Sequence, residues 1–272
     1  MFIHYTLPDF LIIGPQRTGT TWLCENLVSN NQIFIPPEKE TYFFSNLIKK
    51  NSKIPNRLEW YSEKLTPNIW KFFKKNMKKL IITKKISALN WNYKIYSSPF
   101  LIGDPTTSYA IMEECLIKEI KILNPNIKII MLIRHPVDRA WSRAKLKFVY
   151  SEKRNINEVD FGEFIAFYTG PYVIRCGMYT GIIKNWRKYI KQENFFIGFF
   201  DDIAKKPLEL LTTIFHFLSI SENKIFINKK IHEIIINQSL VKKEIPDSHK
   251  EFLFKLYKEE IKRLNNMFDL NW

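Results

Sequence analysis

The sequence predicts an α/β domain of three layers, a central parallel sheet flanked by helices, and three observations carry that prediction. Phe10 to Ile13 is a short apolar, β-branched run that gives way at Gly14-Pro15 to a loop, after which Thr20-Thr21-Trp22-Leu23 begins a helical spacing of apolar residues. Lys128 to Ile133, KIIMLI, is a near-continuous apolar run, the pattern of a parallel strand buried on both faces, and it leads into a helix started by Pro136. The 272 residues contain no Pro/Gly/Ser-rich linker, so 1–272 reads as one domain with a substantial core.

The first loop, from Gly14 to Thr21, has the makings of an anion site. Backbone N–H groups at a helix start lack intrahelical partners, and the helix dipole adds partial positive charge there. Arg17 adds a cation, the hydroxyls of Thr18, Thr20 and Thr21 add neutral donors, and Gly19 lets the backbone approach a ligand closely. The competing reading is an ordinary strand-to-helix turn capped by Thr20. The spacing from Gly14 to Gly19 is that of a Walker A loop, which makes the domain P-loop-like, yet Thr20 stands where that loop needs its lysine. This argues against ATP.

Farther along, Gln32 to Ile35 reads as a short strand stopped by Pro36-Pro37, and Lys39-Glu40 then precede the aromatic pair Phe43-Phe44. Charged side chains anchored beside aromatics suit a cleft; the alternative for Glu40 is a solvated carboxylate near a helix start. Residues 46–85 mix Lys and Asn with Trp60, Tyr61, Trp70, Phe72 and Phe73, and read as short amphipathic helices inserted on the acceptor side, with core packing the competing role for the aromatics. Leu101 to Asp104 reads as a strand end, with Thr106 to Ser108 placed to cap the next helix. Arg134 falls at the carboxyl edge of the 128–133 strand, where open α/β sheets bind ligands, and Ser142 lies two turns into the following helix, on the face that looks back to the same place. For Ser142 the alternative is a bond within its own helix. Arg139 reads as a structural ion-pair partner. A Walker B strand would end in Asp, so a kinase loses again. Phe161 onward is helical; Phe195 to Phe200 is a strand, Asp201-Asp202 its turn, and Pro207 starts a helix to about Leu218. A last helix from Ser248 to about Met267 is expected to cover one sheet edge, with Trp272 packing.

Composition narrows the function classes. Apolar residues at 46% mark a globular chain, and 42 Lys and Arg against 27 Asp and Glu give a net charge of +15, which favours an anionic ligand. The bland source of that charge is a Lys-rich surface. Three cysteines without metal-ligand spacing, and five scattered histidines, predict no metal site and a reducing compartment. The first residues lack a basic segment followed by an apolar one, and no apolar run reaches bilayer length, so a cytoplasmic location is expected.

Arg17-Thr18-Gly19-Thr20-Thr21-Trp22-Leu23 resembles the 5′-phosphosulfate loop of sulfotransferases that use PAPS, 3′-phosphoadenosine 5′-phosphosulfate. Leu132 to Ser142 is similar to that family's 3′-phosphate motif, with Arg134 and Ser142 in the two binding positions. The resemblance implies that Arg17, Thr18, Gly19, Thr20, Thr21, Trp22, Arg134 and Ser142 hold PAPS without a metal. Lys39-Glu40 with Phe43-Phe44 resemble a segment of Golgi-type and bacterial carbohydrate sulfotransferases, which implies Glu40 as the base for an acceptor hydroxyl, a glycan's above all; Tyr42 stands where several of these relatives carry histidine. Residues 101–109 are similar to a second core segment, but Pro105 stands near the family's lysine, and Lys39 is the candidate replacement. Asn237 to Ser239 and Lys242-Lys243 resemble a loop that closes over the nucleotide. A small-molecule kinase and a non-catalytic polyanion-binding protein are the rivals; no nucleic-acid partner is expected.

Overall fold

The structure is a computed structural model and describes residues 5–48, 58–67, 100–220 and 244–272. Five parallel strands, β1 (Phe10–Ile12), β2 (Ile33–Phe34), β3 (Leu101–Asp104), β4 (Lys128–Ile133) and β5 (Phe195–Phe199), form one sheet in the order β2-β3-β1-β4-β5. Register runs Phe10 against Gly103 and Lys128, and Ile129 against Phe195. The predicted α/β class, with a parallel sheet flanked by helices, is what the chain adopts.

Alternation explains why KIIMLI carries no polar interruption. Ile129, Met131 and Ile133 of β4, with Leu11 and Ile13, join one core cluster, while Ile130 and Leu132, with Phe10 and Ile12, join the cluster on the opposite face. The first face is covered by α4 (Glu114–Leu123) through Leu116, Ile117 and Ile120, and by α8 (Tyr179–Arg187) through Ile182, Ile183 and Trp186. Covering the second are α1 (Thr20–Leu27) through Trp22, Leu23 and Leu27, and α10 (Pro207–Phe217) through Leu211, Ile214 and Phe215. Both faces of β1, and of β4 from Ile129 onward, are therefore withdrawn from water, as a parallel sheet requires.

A third cluster lies beyond the sheet, where α5 (Pro136–Lys145) packs against α6 (Phe161–Tyr168) and α11 (Asp247–Phe268) through Val137, Ala140, Phe164, Leu253 and Tyr257. Helix α6 starts with a capping box in which the Asp160 carboxylate accepts from the Gly162 N–H. Helix α5 opens with Pro136 and runs on into a π-helical turn, Leu146–Ser151. Between α6 and α8 lies α7 (Pro171–Gly177).

Three local expectations need correction. Asp201 and Asp202 are not a turn but the first turn of α9 (Phe200–Lys205), where carboxylates complement the N-terminal end of the helix dipole. Helix α11 packs on α5 and α8 rather than along a sheet edge: Leu253, Tyr257 and Ile261 join the cluster of α5 and α6, and Glu260 accepts from Thr180 of α8. Toward its end Leu264 joins the cluster on the first sheet face, and Phe268 and the following Trp272 pack on Phe199 of β5. Thr106 caps nothing: its hydroxyl donates to the Asp104 carboxylate, and the chain continues into a 3-10 turn, Thr107–Ile111. Of 46–85, only α2 (Phe43–Asn46) at its border and α3 (Leu58–Leu65) are described, and Tyr61 there is fully buried. Trp70, Phe72 and Phe73 lie outside the described residues, as do Asn237 to Ser239, Lys242 and Lys243.

Tyr61 has a measurable role. Its ring stacks on Phe43 at 4.2 Å and its hydroxyl donates to the buried Asp104 carboxylate at 2.7 Å. Tyr61→Phe keeps the stack and removes one donor from a buried charge, which should cost about 1–3 kcal/mol. Chemical denaturation measures it; unchanged stability would mean that the remaining donors satisfy Asp104.

Candidate active site

The sheet order reverses direction of growth at β1, with β3 added on one side and β4 on the other. Loops leaving the carboxyl ends of β1 and β4 therefore meet above a crevice. The β1 loop reaches α1 through Gly19, whose φ of 92° and close packing exclude a side chain: a Cβ there would stand 2.3 Å from the Ile203 Cδ1 atom of α9. Gly19 is the α1 N-cap and provides no side-chain bond, so by helix geometry the first N–H groups of α1 are left for another partner.

Arg17 takes the left-handed backbone conformation, φ 76°, and its Nε donates to Ser142 Oγ at 2.8 Å, 125 residues away. Arg134 Nη1 points back to the Arg17 carbonyl oxygen at 3.4 Å, and its guanidinium lies over the Phe200 ring, 4.2 Å from the centroid. Arg17, Arg134 and Ser142, read from two separate stretches of sequence, thus meet in one place. Burial, and then the neighbouring Arg134 guanidinium, lower the Arg17 pKa; burial likewise lowers that of Arg134. Lys145 is lowered by burial and then by Arg134, with Arg17 adding to it. Cations held this close against their mutual repulsion fit a multiply charged anion, and among the described residues neither Arg17 nor Arg134 has a carboxylate at ion-pair distance.

The threonines divide. Thr18 is fully buried and its hydroxyl donates to the Pro15 carbonyl at 2.8 Å, so this side chain braces the loop instead of facing a ligand. Thr20 is buried as well, with its methyl carbon facing Gly14. Thr21 is half-buried and accepts from Lys39 Nζ at 3.2 Å. Trp22 belongs to the core: its indole packs in the cluster with Leu23 and Leu211, which leaves only its backbone N–H to face an anion. Sequence spacing alone does not separate side chains that brace a loop from those that point out of it.

The Lys39 contact ties the 38–42 segment to the loop, and α3 holds the segment from the other side through an ion pair of Lys64 with Glu38. The Glu40 carboxylate accepts from Thr107 Oγ1 at 2.9 and 3.1 Å. Burial, then the hydrogen bond to Glu40, push the Tyr42 phenol up to about 12, so it stands as a neutral donor. Thr107 and Tyr42 thus partner the candidate base, a role that the sequence pattern assigns to neither. No spacing signal points to Thr107, because its partner is 67 residues away.

His135 is a packing residue, with its ring 5.4 Å from that of Phe254 and 5.5 Å from that of Trp272. Arg139 is buried and structural, but it donates Nη2 to the Val173 carbonyl at 2.8 Å in place of the expected ion pair. Cys24, Cys115 and Cys176 are free thiols, and burial holds Cys24 up at about 12. Among the described residues no cluster of His, Cys, Asp and Glu could hold a metal, and no helix is long and apolar enough to cross a membrane.

The sulfotransferase domain profile matches residues 7–260. The chain belongs to the sulfotransferase family. Its relatives include mouse heparan sulfate glucosamine 3-O-sulfotransferase 5, 24% identical over 221 residues that cover 79% of this chain and 54% of the mouse protein. A membrane-associated sulfotransferase, kil1, of Dictyostelium discoideum is 29% identical over 50% of this chain and 22% of its own length. The chain thus spans about half or less of the length of these curated relatives. Among solved structures, a sulfotransferase from Alicyclobacillus acidocaldarius superposes with a TM-score of 0.63 at 20% identity, covering 98% of both chains. The sulfotransferase domain of the curacin biosynthetic pathway gives 0.52 at 15% identity over 98% of this chain and 99% of its own. Both share this fold.

Proposed function

We propose that the protein transfers the sulfuryl group of PAPS to a hydroxyl of a carbohydrate acceptor by in-line displacement, with Glu40 as base. The observation that carries this reading is the meeting of Arg17, Ser142 and Arg134 at the carboxyl ends of β1 and β4. Arg134 and Ser142 would hold the 3′-phosphate, and Arg17 with the N–H groups of Gly19 to Trp22 the 5′-phosphosulfate. PAPS supplies the activated sulfuryl group; the chain supplies charge, orientation and a proton acceptor. Negative charge gathers on the bridging oxygen as the bond to sulfur lengthens, so preorganised donors at the loop act most strongly there. Lys39, held on Thr21, adds a cation beside the loop. The carbohydrate class is supported by the Lys39-Glu40 and Phe43-Phe44 segment and by the heparan sulfate relative.

Calorimetric titration with adenosine 3′,5′-bisphosphate, ATP and 5′-AMP, without added metal, tests the nucleotide half of the proposal. Binding that depends on the 3′-phosphate is expected; equal binding of all three nucleotides would overturn it. In the same titration Arg134→Ala should weaken the bisphosphate by about ten- to a hundredfold, since a hydrogen bond to a charged group is worth roughly 1.5–3 kcal/mol. Normal affinity in that variant would remove Arg134 from the site.

A further inference from the structure

The carboxyl end of β3 contains a buried charge that the anion site does not use. Asp104 is fully buried, and its carboxylate accepts from four hydroxyls: Thr41 Oγ1 at 2.7 Å, Tyr61 at 2.7 Å, Tyr109 at 2.9 Å and Thr106 Oγ1 at 2.7 Å. No cation is among these partners. A carboxylate held in a core without a counter-charge is costly, and well-packed apolar residues would serve packing at least as well. What the arrangement provides is position. The four donors come from three separate stretches: the segment that bears Glu40, helix α3, and the turn after β3.

These links close a ring. Glu40 is bonded covalently to Thr41; the Thr41 N–H donates to Thr106 Oγ1 at 3.1 Å; Thr106 is bonded covalently to Thr107; and Thr107 Oγ1 donates back to the Glu40 carboxylate. Asp104 pins both Thr41 and Thr106, so it fixes the Glu40 main chain and the donor to its side chain through one anchor. We propose that Asp104 and Thr107 are positioning residues that hold the Glu40 carboxylate in its productive orientation, Thr107 directly and Asp104 through Thr41 and Thr106. This inference rests on the reading of Glu40 as base. It also assigns a role to the stretch that lacks the family's lysine: Asp104, Thr106 and Thr107 flank Pro105 and aim a carboxylate. A general base gains its advantage only when held within hydrogen-bond reach of the proton it removes, and an untethered glutamate rotates away from that geometry.

The test is a double-mutant cycle on sulfuryl transfer from radiolabelled PAPS to a de-O-sulfated heparin oligosaccharide, with calorimetric binding of adenosine 3′,5′-bisphosphate measured alongside. Thr107→Val should lower kcat by about tenfold or more, the loss expected for one hydrogen bond to a charged group, with nucleotide affinity unchanged. Thr107→Ser, which keeps the hydroxyl, should restore most of the rate. In a Glu40→Gln background Thr107→Val should cost nothing further, because the glutamine that still accepts its hydrogen bond is no base to be oriented. Asp104→Asn should likewise lower kcat and spare nucleotide affinity; if it does not fold, the Thr107 variants decide. A wild-type rate in Thr107→Val while Glu40→Gln is dead would overturn this inference and leave the proposed function standing. So would the same fractional loss in both backgrounds, or no rescue by serine. An active Glu40→Gln, or a wild-type protein inactive on the oligosaccharide, would instead overturn the reading on which the inference rests.

Discussion

Arg17→Ala is expected to lower kcat for sulfuryl transfer by about a hundred- to a thousandfold, the usual effect of removing one preorganised donor at the site of charge development. The loss should appear in turnover at saturating PAPS, because Arg17 sits in the loop where bridging charge grows. Stability should respond quite differently. Alanine inherits the left-handed backbone of position 17, so that strain stays; Ser142 loses a donor, but Arg134 loses a buried cationic neighbour. These last two changes oppose each other, and the variant should unfold within about 1 kcal/mol of the wild type. A dead enzyme with an undisturbed melt is the signature of a site that holds repulsion in readiness for an anion. Rates at saturating PAPS together with thermal melts decide it. If Arg17→Ala kept its kcat and lost only PAPS affinity, Arg17 would belong to ground-state binding alone.

Much of this architecture is legible in the sequence because a parallel sheet writes itself as local pattern. KIIMLI is apolar at almost every position since both of its faces are covered, and Phe10 to Trp22 is a strand-loop-helix whose glycines and threonines lie close together in the chain. The meeting of Arg17 with Ser142 is legible for the same reason, as two local motifs each pointing at a sheet edge. Direction within a loop is not written that way. Thr18 and Trp22 share their stretch with Arg17 yet turn inward, Thr18 onto the Pro15 carbonyl and Trp22 into a cluster that α9 and α10 complete. Nor is the ring around Glu40 legible, since its hydrogen bonds connect residues more than sixty positions apart and hydroxyl residues are common in turns. The acidic pair Asp201-Asp202 suits a turn and a helix start equally well, and only the packing of Phe200 and Ile203 on the Gly19 loop selects the helix.

Glu40→Gln should be the most damaging conservative change in the molecule, with kcat falling by about a hundred- to ten-thousandfold, the contribution of a positioned general base. Glutamine keeps the shape, and its amide oxygen still accepts from Thr107, so the local fold should persist. What it loses is the ability to take a proton from the acceptor hydroxyl. Nucleotide affinity should hold or rise slightly, because a negative charge has been removed from the neighbourhood of an anion site. Asp104 is consumed by four hydroxyls inside the core, Glu38 is paired with Lys64, and Asp138 and Asp201 act on Arg134. Full transfer activity in Glu40→Gln would remove Glu40 as base, and a parallel loss of nucleotide affinity would reduce it to a brace for the loop. A rate collapse with intact binding is the outcome that separates a proton acceptor from either.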